Sequence, residues 1–418
     1  MKTIETAHVE ETSIEPRLEK LLSQMTLYEK ISLLAGRDTW NTMPIPRLGI
    51  PSIVMTDGPH GVRAADPQTG RKVEPTTCFP TGVSMAASWN TELIERVGSA
   101  LGEETRAEGC NILLGPCVNI ARTPIAGRNF EAYSEDPYLA GRIGVAWVKG
   151  IQNQQIGASL KHFACNNQEI ERGRSSSEVD ERTLREIYLP AFEAVVKEAK
   201  PWTVMCSYNR INGIYASQNH HLLKEILKGE WGFQGLVVSD WGANHTIFES
   251  VQGGLDLEMP GPAKYYGRLL MEAVHNWQID EADIDDSARR ILRIILQSGV
   301  MDETASQKVG SANTREHQAL TRELAEEAIT LLKNDGNLLP LDLSPLKSIA
   351  VIGPNAAEGR IGGGGSSYAV PPYQISPLEG LKNLIGDRVQ IGYETGCDNI
   401  VEPPVLSADY VMVPDCSA

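Results

Sequence analysis

Between residues 52 and 257, short apolar runs recur between longer stretches whose apolar positions repeat every three or four residues. The runs at 52–56, 112–117, 157–160, 203–207, 235–239 and 255–257 are short and mostly apolar or small, as expected for strands buried on both faces. The stretches at 91–108, 138–152, 181–199 and 222–230 carry the helical period. Upstream, Thr26-Leu27-Tyr28-Glu29 has the spacing of a capping box and opens the apolar stretch 31–35. Strand-then-helix alternation over this length predicts a parallel sheet wrapped by helices, and ~250 residues is the usual size of a closed (β/α)8 barrel.

The ends of the apolar runs favour the barrel over an open sheet. Asp57, Lys161 with His162, Tyr208, Asp240 and Glu258 each follow such a run. In a barrel, the carboxyl ends of the strands converge on one face, where the chemistry sits. A doubly wound sheet would gather its candidates at one switch point.

The pattern predicts a long closing helix at 281–296 and a further helix at 317–333. A new buried strand is predicted at 348–353, followed by a flexible glycine loop at 362–367 and a helix starting at 377. The expected organisation is a catalytic (β/α)8 TIM-like barrel over residues 1–305, a linker and helix over 306–345, and an incomplete α/β sandwich domain over 346–418.

The net charge of −16, without a Lys/Arg run, argues against nucleic acid or an anionic membrane as partner. No stretch of eighteen apolar residues occurs and the N-terminus has no apolar signal core. The seven cysteines are scattered without a CxxC pair, and Cys78, Cys110, Cys117, Cys165 and Cys206 lie in or beside apolar segments. This reads as buried free thiols in a reducing compartment, by default the cytoplasm, unless a leader outside this sequence directs export.

In residues 235–241 a buried strand delivers Asp240 to the barrel rim with Trp241 directly after it. A carboxylate there can attack an anomeric carbon while the indole offers a flat face to a sugar, but an Asp at a strand end equally suits a helix cap. Lys161 and His162 end another strand; alone they read as a snorkelling lysine and a satisfied histidine. Asp57 could grip two hydroxyls, yet Asp57-Gly58-Pro59 also suits a plain turn. Arg128 and Arg172 sit in loops after strands, where a lone arginine is ordinarily a solvated charge.

Six stretches in order carry a resemblance: Thr56-Asp57-Gly58-Pro59, Gly127-Arg128-Asn129-Phe130-Glu131, Ser134-Glu135-Asp136-Pro137, Lys161-His162-Phe163, Met205-Cys206-Ser207-Tyr208-Asn209 and Ser239-Asp240-Trp241. With their spacing, the chain resembles the β-glucosidases of glycoside hydrolase family 3 from about residue 21 to 396. Ile352-Gly353-Pro354-Asn355-Ala356 is similar to the start of that family's α/β sandwich domain. The resemblance implies that Asp240 is the nucleophile and that Asp57, Arg128, Lys161, His162 and Arg172 hold hydroxyls of the terminal sugar. It puts Met205 and Tyr208 near the nucleophile and Trp241 on a stacking wall. Lys161 and the arginines are expected to lower the pKa of Asp240.

The implied reaction is retaining, exo-acting hydrolysis of terminal β-D-glucosyl units, with no cofactor and no metal. Expected partners are small β-glucosides or cello-oligosaccharides, together with a second copy of the chain or a complementing C-terminal portion. The family's acid/base, usually a Glu in the second domain, falls later than these residues, which suggests a truncated form. Where the N-acetylglucosaminidase branch has Lys-His-Phe-Pro-Gly, this chain continues Ala164-Cys165-Asn166-Asn167, which disfavours that branch. β-Xylosidase or α-arabinofuranosidase activity is the alternative within the family, and a non-catalytic sugar-binding fragment the alternative outside it. A dinucleotide site fails because Gly362–Gly365 open no GxGxxG turn, and a metal hydrolase fails because only His162 among eight histidines ends a strand.

Overall fold

The computed structural model describes residues 11–63, 75–302, 310–397 and 399. These form two compact units; the first runs to Thr330 and takes back Gly362–Pro372, and the second comprises Leu331–Ile361 and the residues from Tyr373 on.

The first unit is built on five parallel strands in sequential order: β1 (Met55–Asp57), β2 (Ile112–Leu114), β3 (Gly157–Phe163), β4 (Thr203–Cys206) and β5 (Leu236–Ser239). Every residue in them is buried, the environment their continuous apolar runs predict. The ring closes through single bridges: Val238 pairs in parallel with Leu257, and Glu258 with Ala35. From Ala35 a short hairpin returns antiparallel, pairing Gly36 with Thr42 and Asn41 with Val54 beside β1. The expected barrel is present, and one of its steps is this hairpin.

Helices Thr91–Ala107, Pro137–Asn153 and Pro190–Ala199 cover successive strands. Their starts are chemically marked: the side chain of Asn90 accepts from Leu93 N at 3.0 Å, and that of Asp136 from Tyr138 N at 2.9 Å with Pro137 next. The first two cross at glycines. A Cβ on Gly98 would sit 2.5 Å from the Trp147 carbonyl oxygen, and one on Gly150 would sit 2.2 Å from that of Glu95. The capping box at Thr26 forms as the spacing predicts.

Three predicted helices differ. The one expected over 222–230 is present as His221–Glu230 but is wound in the wider π turn throughout. The one expected over 181–199 is interrupted by a wider turn at Leu184–Tyr188, and regular helix resumes at Pro190, which has no N–H to donate backward. The one expected to run to 333 spans Arg315–Ala328; Thr314 caps its start, and the β-branched pair Ile329-Thr330 follows its end. No helix among the described residues is long and apolar enough to cross a membrane. The thiols of Cys110, Cys117, Cys165 and Cys206 are buried and that of Cys78 is half-buried, and none forms a disulfide among the described residues.

In the second unit, Ser348–Ile352 pairs in parallel with Gln390–Glu394, and helix Pro377–Ile385 connects them. The strand expected to be buried alternates instead between half-buried and exposed positions. Among the described residues it has one neighbouring strand.

Candidate active site

The carboxyl ends of β1, β3, β4 and β5 open into one cavity of about 190 Å³. Asp57, Arg128, Lys161, His162, Arg172, Met205, Tyr208, Asp240 and Trp241 all line it, so the structure brings together the nine residues that the resemblance assigns to the site; Glu258, the other strand-end candidate, does not line it, its carboxylate accepting instead from Asn244 Nδ2 at 3.0 Å and Tyr266 N at 2.6 Å. Thr39, Trp40, Arg63 and Ser366 line it as well.

Asp240 leaves β5 with its N–H donating to Cys206 O at 3.2 Å, and its carbonyl accepts from Ala243 N at 2.8 Å in a tight turn. The next helix begins only at Phe248, so Asp240 caps no helix. Its Oδ1 accepts from Trp241 N at 2.7 Å; its Oδ2 is buried with no hydrogen-bond partner. Burial raises the Asp240 carboxyl above the usual aspartate value. Arg128 and Lys161 pull it down, as do the Tyr208 hydroxyl beside it and the Trp241 N–H, but the net direction is upward. The expected lowering by the cations is present and is outweighed by desolvation.

Lys161 and His162 are adjacent and both face the cavity. Regular pairing of β3 with β4 is interrupted between Leu160 and Phe163, which frees the pair from strict strand alternation. Lys161 Nζ lies 3.2 Å from Asp57 Oδ1, and Arg63 Nη1 lies 3.8 Å from Asp57 Oδ2. Burial raises the Asp57 carboxyl despite Lys161. His162 Nε2 faces Asp240 Oδ2 at 3.6 Å, and burial among Arg128, Lys161 and Arg172 holds the imidazole well below its ordinary pKa, hence neutral.

Arg128 is no solvated charge. Its Nε and Nη2 each reach a carboxylate oxygen of buried Glu131 at 2.9 Å. Burial pushes Glu131 up, yet Lys161 and Arg128 bring it to about 2. Arg172 donates to Glu169 at 2.7 Å, and its guanidinium lies 4.3 Å from the centroid of the Tyr208 ring. Trp241 Nε1 donates to Thr39 O at 2.7 Å, and its ring lies 5.4 Å from that of Trp40, so two indoles form one wall.

The glycine run is not a free loop. Gly362–Pro372 packs with the first unit, and Ser366 Oγ lies 3.5 Å from Arg128 Nη2. A Cβ on Gly363 would fall 2.4 Å from the Phe130 ring, so only glycine fits that approach. Nothing local in the sequence marks Trp40, Arg63 or Ser366 as site residues; they arrive from the hairpin, the first turn and a segment more than 200 positions away.

The family profile for the glycosyl hydrolase family 3 N-terminal domain matches residues 33–294, and that for its C-terminal domain matches 329–413. The chain belongs to glycosyl hydrolase family 3. Among family 3 proteins, a beta-glucosidase of Rhizobium radiobacter is 46% identical over 382 residues, covering 91% of this chain and 46% of that protein. An exo-alpha-(1→6)-L-arabinopyranosidase of Bifidobacterium longum is 42% identical over 372 residues, covering 86% and 48%. The crystal structure of a Kluyveromyces marxianus beta-glucosidase in complex with glucose superposes with a TM-score of 0.84 at 39% identity, covering 90% of this chain and 46% of that one. This family 3 chain spans about half the length of these relatives.

Proposed function

We propose that this cavity is the glucosyl site of a retaining, exo-acting β-glucosidase in which Asp240 forms a covalent glycosyl ester. The observation that carries the reading is the Asp240 carboxylate: one oxygen is tethered by a backbone N–H and the other is buried, unpartnered and on the cavity wall. A nucleophile needs that free oxygen, whereas a structural carboxylate buried this deeply would have both engaged. The cavity volume is of the order of one monosaccharide, which suits removal of a terminal unit.

The remaining groups act on the sugar. Asp57, Lys161, Arg63, His162, Arg128 and Arg172 offer donors and acceptors to its hydroxyls, and the four cations among them are offset by the carboxylates of Asp57, Asp240, Glu131 and Glu169, so a neutral polyol is oriented without selecting a charged one. Met205 and Tyr208 pack beside the nucleophile. Trp241 and Trp40 form an apolar wall for a pyranose face.

A retaining mechanism also requires an acid/base carboxyl ~5–5.5 Å from the nucleophile. The cavity's other carboxylate, Asp57, is engaged by Lys161, so the acid/base is assigned outside these lining residues. A pentose-specific activity is the second reading, favoured by the arabinopyranosidase relative at 42% identity.

The test is intact mass after mixing the chain with dinitrophenyl β-glucoside. That leaving group departs without protonation, so the first step needs Asp240 and not the acid. The expected result is a glucosyl adduct that maps to Asp240 and is lost in Asp240→Asn. Faster labelling by the matching β-xyloside or α-arabinoside would select the pentose reading. No adduct with any of them would refute the nucleophile assignment.

A further inference from the structure

Asn119, outside the cavity, contacts the side of the His162 ring away from Asp240. Its Nδ2 donates to His162 O at 2.8 Å, and its Oδ1 accepts from the His162 backbone N–H at 2.9 Å. A carbonyl only accepts and a backbone amide only donates, so these two bonds fix which way the Asn119 amide points. The same Oδ1 lies 3.0 Å from His162 Nδ1, which therefore carries a proton. The other neighbour of Nδ1 is Cys117 Sγ at 3.7 Å; burial raises its thiol to about 11, so it keeps its own proton and lies 3.5 Å from the same Asn119 oxygen.

A neutral imidazole protonated on Nδ1 has a bare lone pair on Nε2. That atom faces Asp240 Oδ2 at 3.6 Å, and Oδ2 has no donor of its own. Two acceptors face each other across the cavity wall.

We propose that Asn119 is a positioning residue that locks His162 in its Nδ1–H tautomer, so that Nε2 and Asp240 Oδ2 form a paired acceptor slot satisfied only by hydroxyl donors of the bound sugar. This rests on reading the cavity as a sugar site. The opposite tautomer would let His162 donate to Asp240, tying up the oxygen that attacks and withdrawing the acceptor from the sugar.

The tautomer can be read without turnover. In the full chain with isotope-labelled histidine, long-range proton–nitrogen correlations should show His162 protonated on Nδ1 and bare on Nε2. In Asn119→Ala, Nε2 should become protonated in a substantial fraction. Adduct formation from dinitrophenyl β-glucoside should then slow roughly tenfold, the worth of one buried hydrogen bond. Asn119→Asp keeps an acceptor against Nδ1, so Nδ1 should stay protonated, while loss of the Nδ2 donor to His162 O and the added buried charge should slow the adduct. The proposal is overturned if wild-type His162 carries its proton on Nε2 or on both nitrogens, or if Asn119→Ala folds and keeps the wild-type tautomer. If Asn119→Ala does not fold, the wild-type and Asn119→Asp spectra decide. Loss of the adduct reading alone, with the tautomer as stated, would count against the glycosidase assignment and not against the role of Asn119.

Discussion

Lys161→Met is the sharpest probe of how this cavity is held together. The substitution keeps most of the side-chain stem and removes only the charge that faces Asp57 at 3.2 Å. Both side chains are nearly inaccessible, at 2% and 9% of full exposure, so solvent cannot replace the lost partner. Breaking a buried pair from one side typically costs about 3–5 kcal/mol, because an uncompensated charge remains. Arg63, at 3.8 Å from the other carboxylate oxygen, offsets part of this, which places the expectation near ~3 kcal/mol, the lower end of that range. Asp57 already sits above its ordinary pKa because of burial, with Lys161 pulling it down; without Lys161 it should rise further. A carboxyl raised in the folded state binds protons more readily than in the unfolded chain, so the penalty should shrink as pH falls through the folded value. Urea unfolding of the four members of the Lys161→Met/Asp57→Asn cycle measures this, with the slopes compared to confirm that the same transition is followed. The two changes should couple by roughly 2–3 kcal/mol, Asp57→Asn recovering most of what Lys161→Met loses. A Lys161→Met loss below about 1 kcal/mol, the level of a solvated surface pair, would refute the reasoning, as would simple additivity.

Two further predictions concern segments that hold the cavity's surroundings. Gly363→Ala places a methyl 2.4 Å from the Phe130 ring; it should cost roughly 1–3 kcal/mol by overpacking and weaken glucose protection against unfolding, whereas Gly173→Ala, with open space around it, should do neither. His317 lies 2.8 Å from fully buried Glu104 and 3.3 Å from Glu103; burial lowers its pKa, but these carboxylates win and the net shift is upward from 6.5. A raised histidine contributes stability that is full below 6.5 and fades as pH rises through the folded value, so His317→Gln should lower the melting temperature more in acid than in alkaline buffer. An equal loss at both ends would remove the charge from the account.

The barrel was legible in the sequence because its strands are buried on both faces, and a run such as Leu236-Val237-Val238 has little other use. The helix starts at Thr26, Asn90 and Asp136 were legible because a cap is a local hydrogen bond between residues two or three positions apart. The identities of nine of the cavity residues were likewise readable, some as polar groups at strand ends and the rest through a resemblance spread over six short stretches. What each does with its neighbours was not readable. The grip of Glu131 on Arg128 is an i,i+3 contact, but its strength depends on burial that distant helices and the returned glycine segment create. The lowering of Asp240's pKa by its cations was readable because nearby charges can be named from sequence, whereas the net upward direction was not, because desolvation depends on what closes over the group. Ser366, Trp40 and Asn119 reach the site only through tertiary structure, from an excursion of the chain, an antiparallel hairpin and the loop after β2. Sequence alone determined which chemical groups end the buried strands, because strand periodicity and end position are local properties. Tertiary structure alone decided which oxygen is left free and which nitrogen holds the proton, because those depend on contacts between residues distant along the chain.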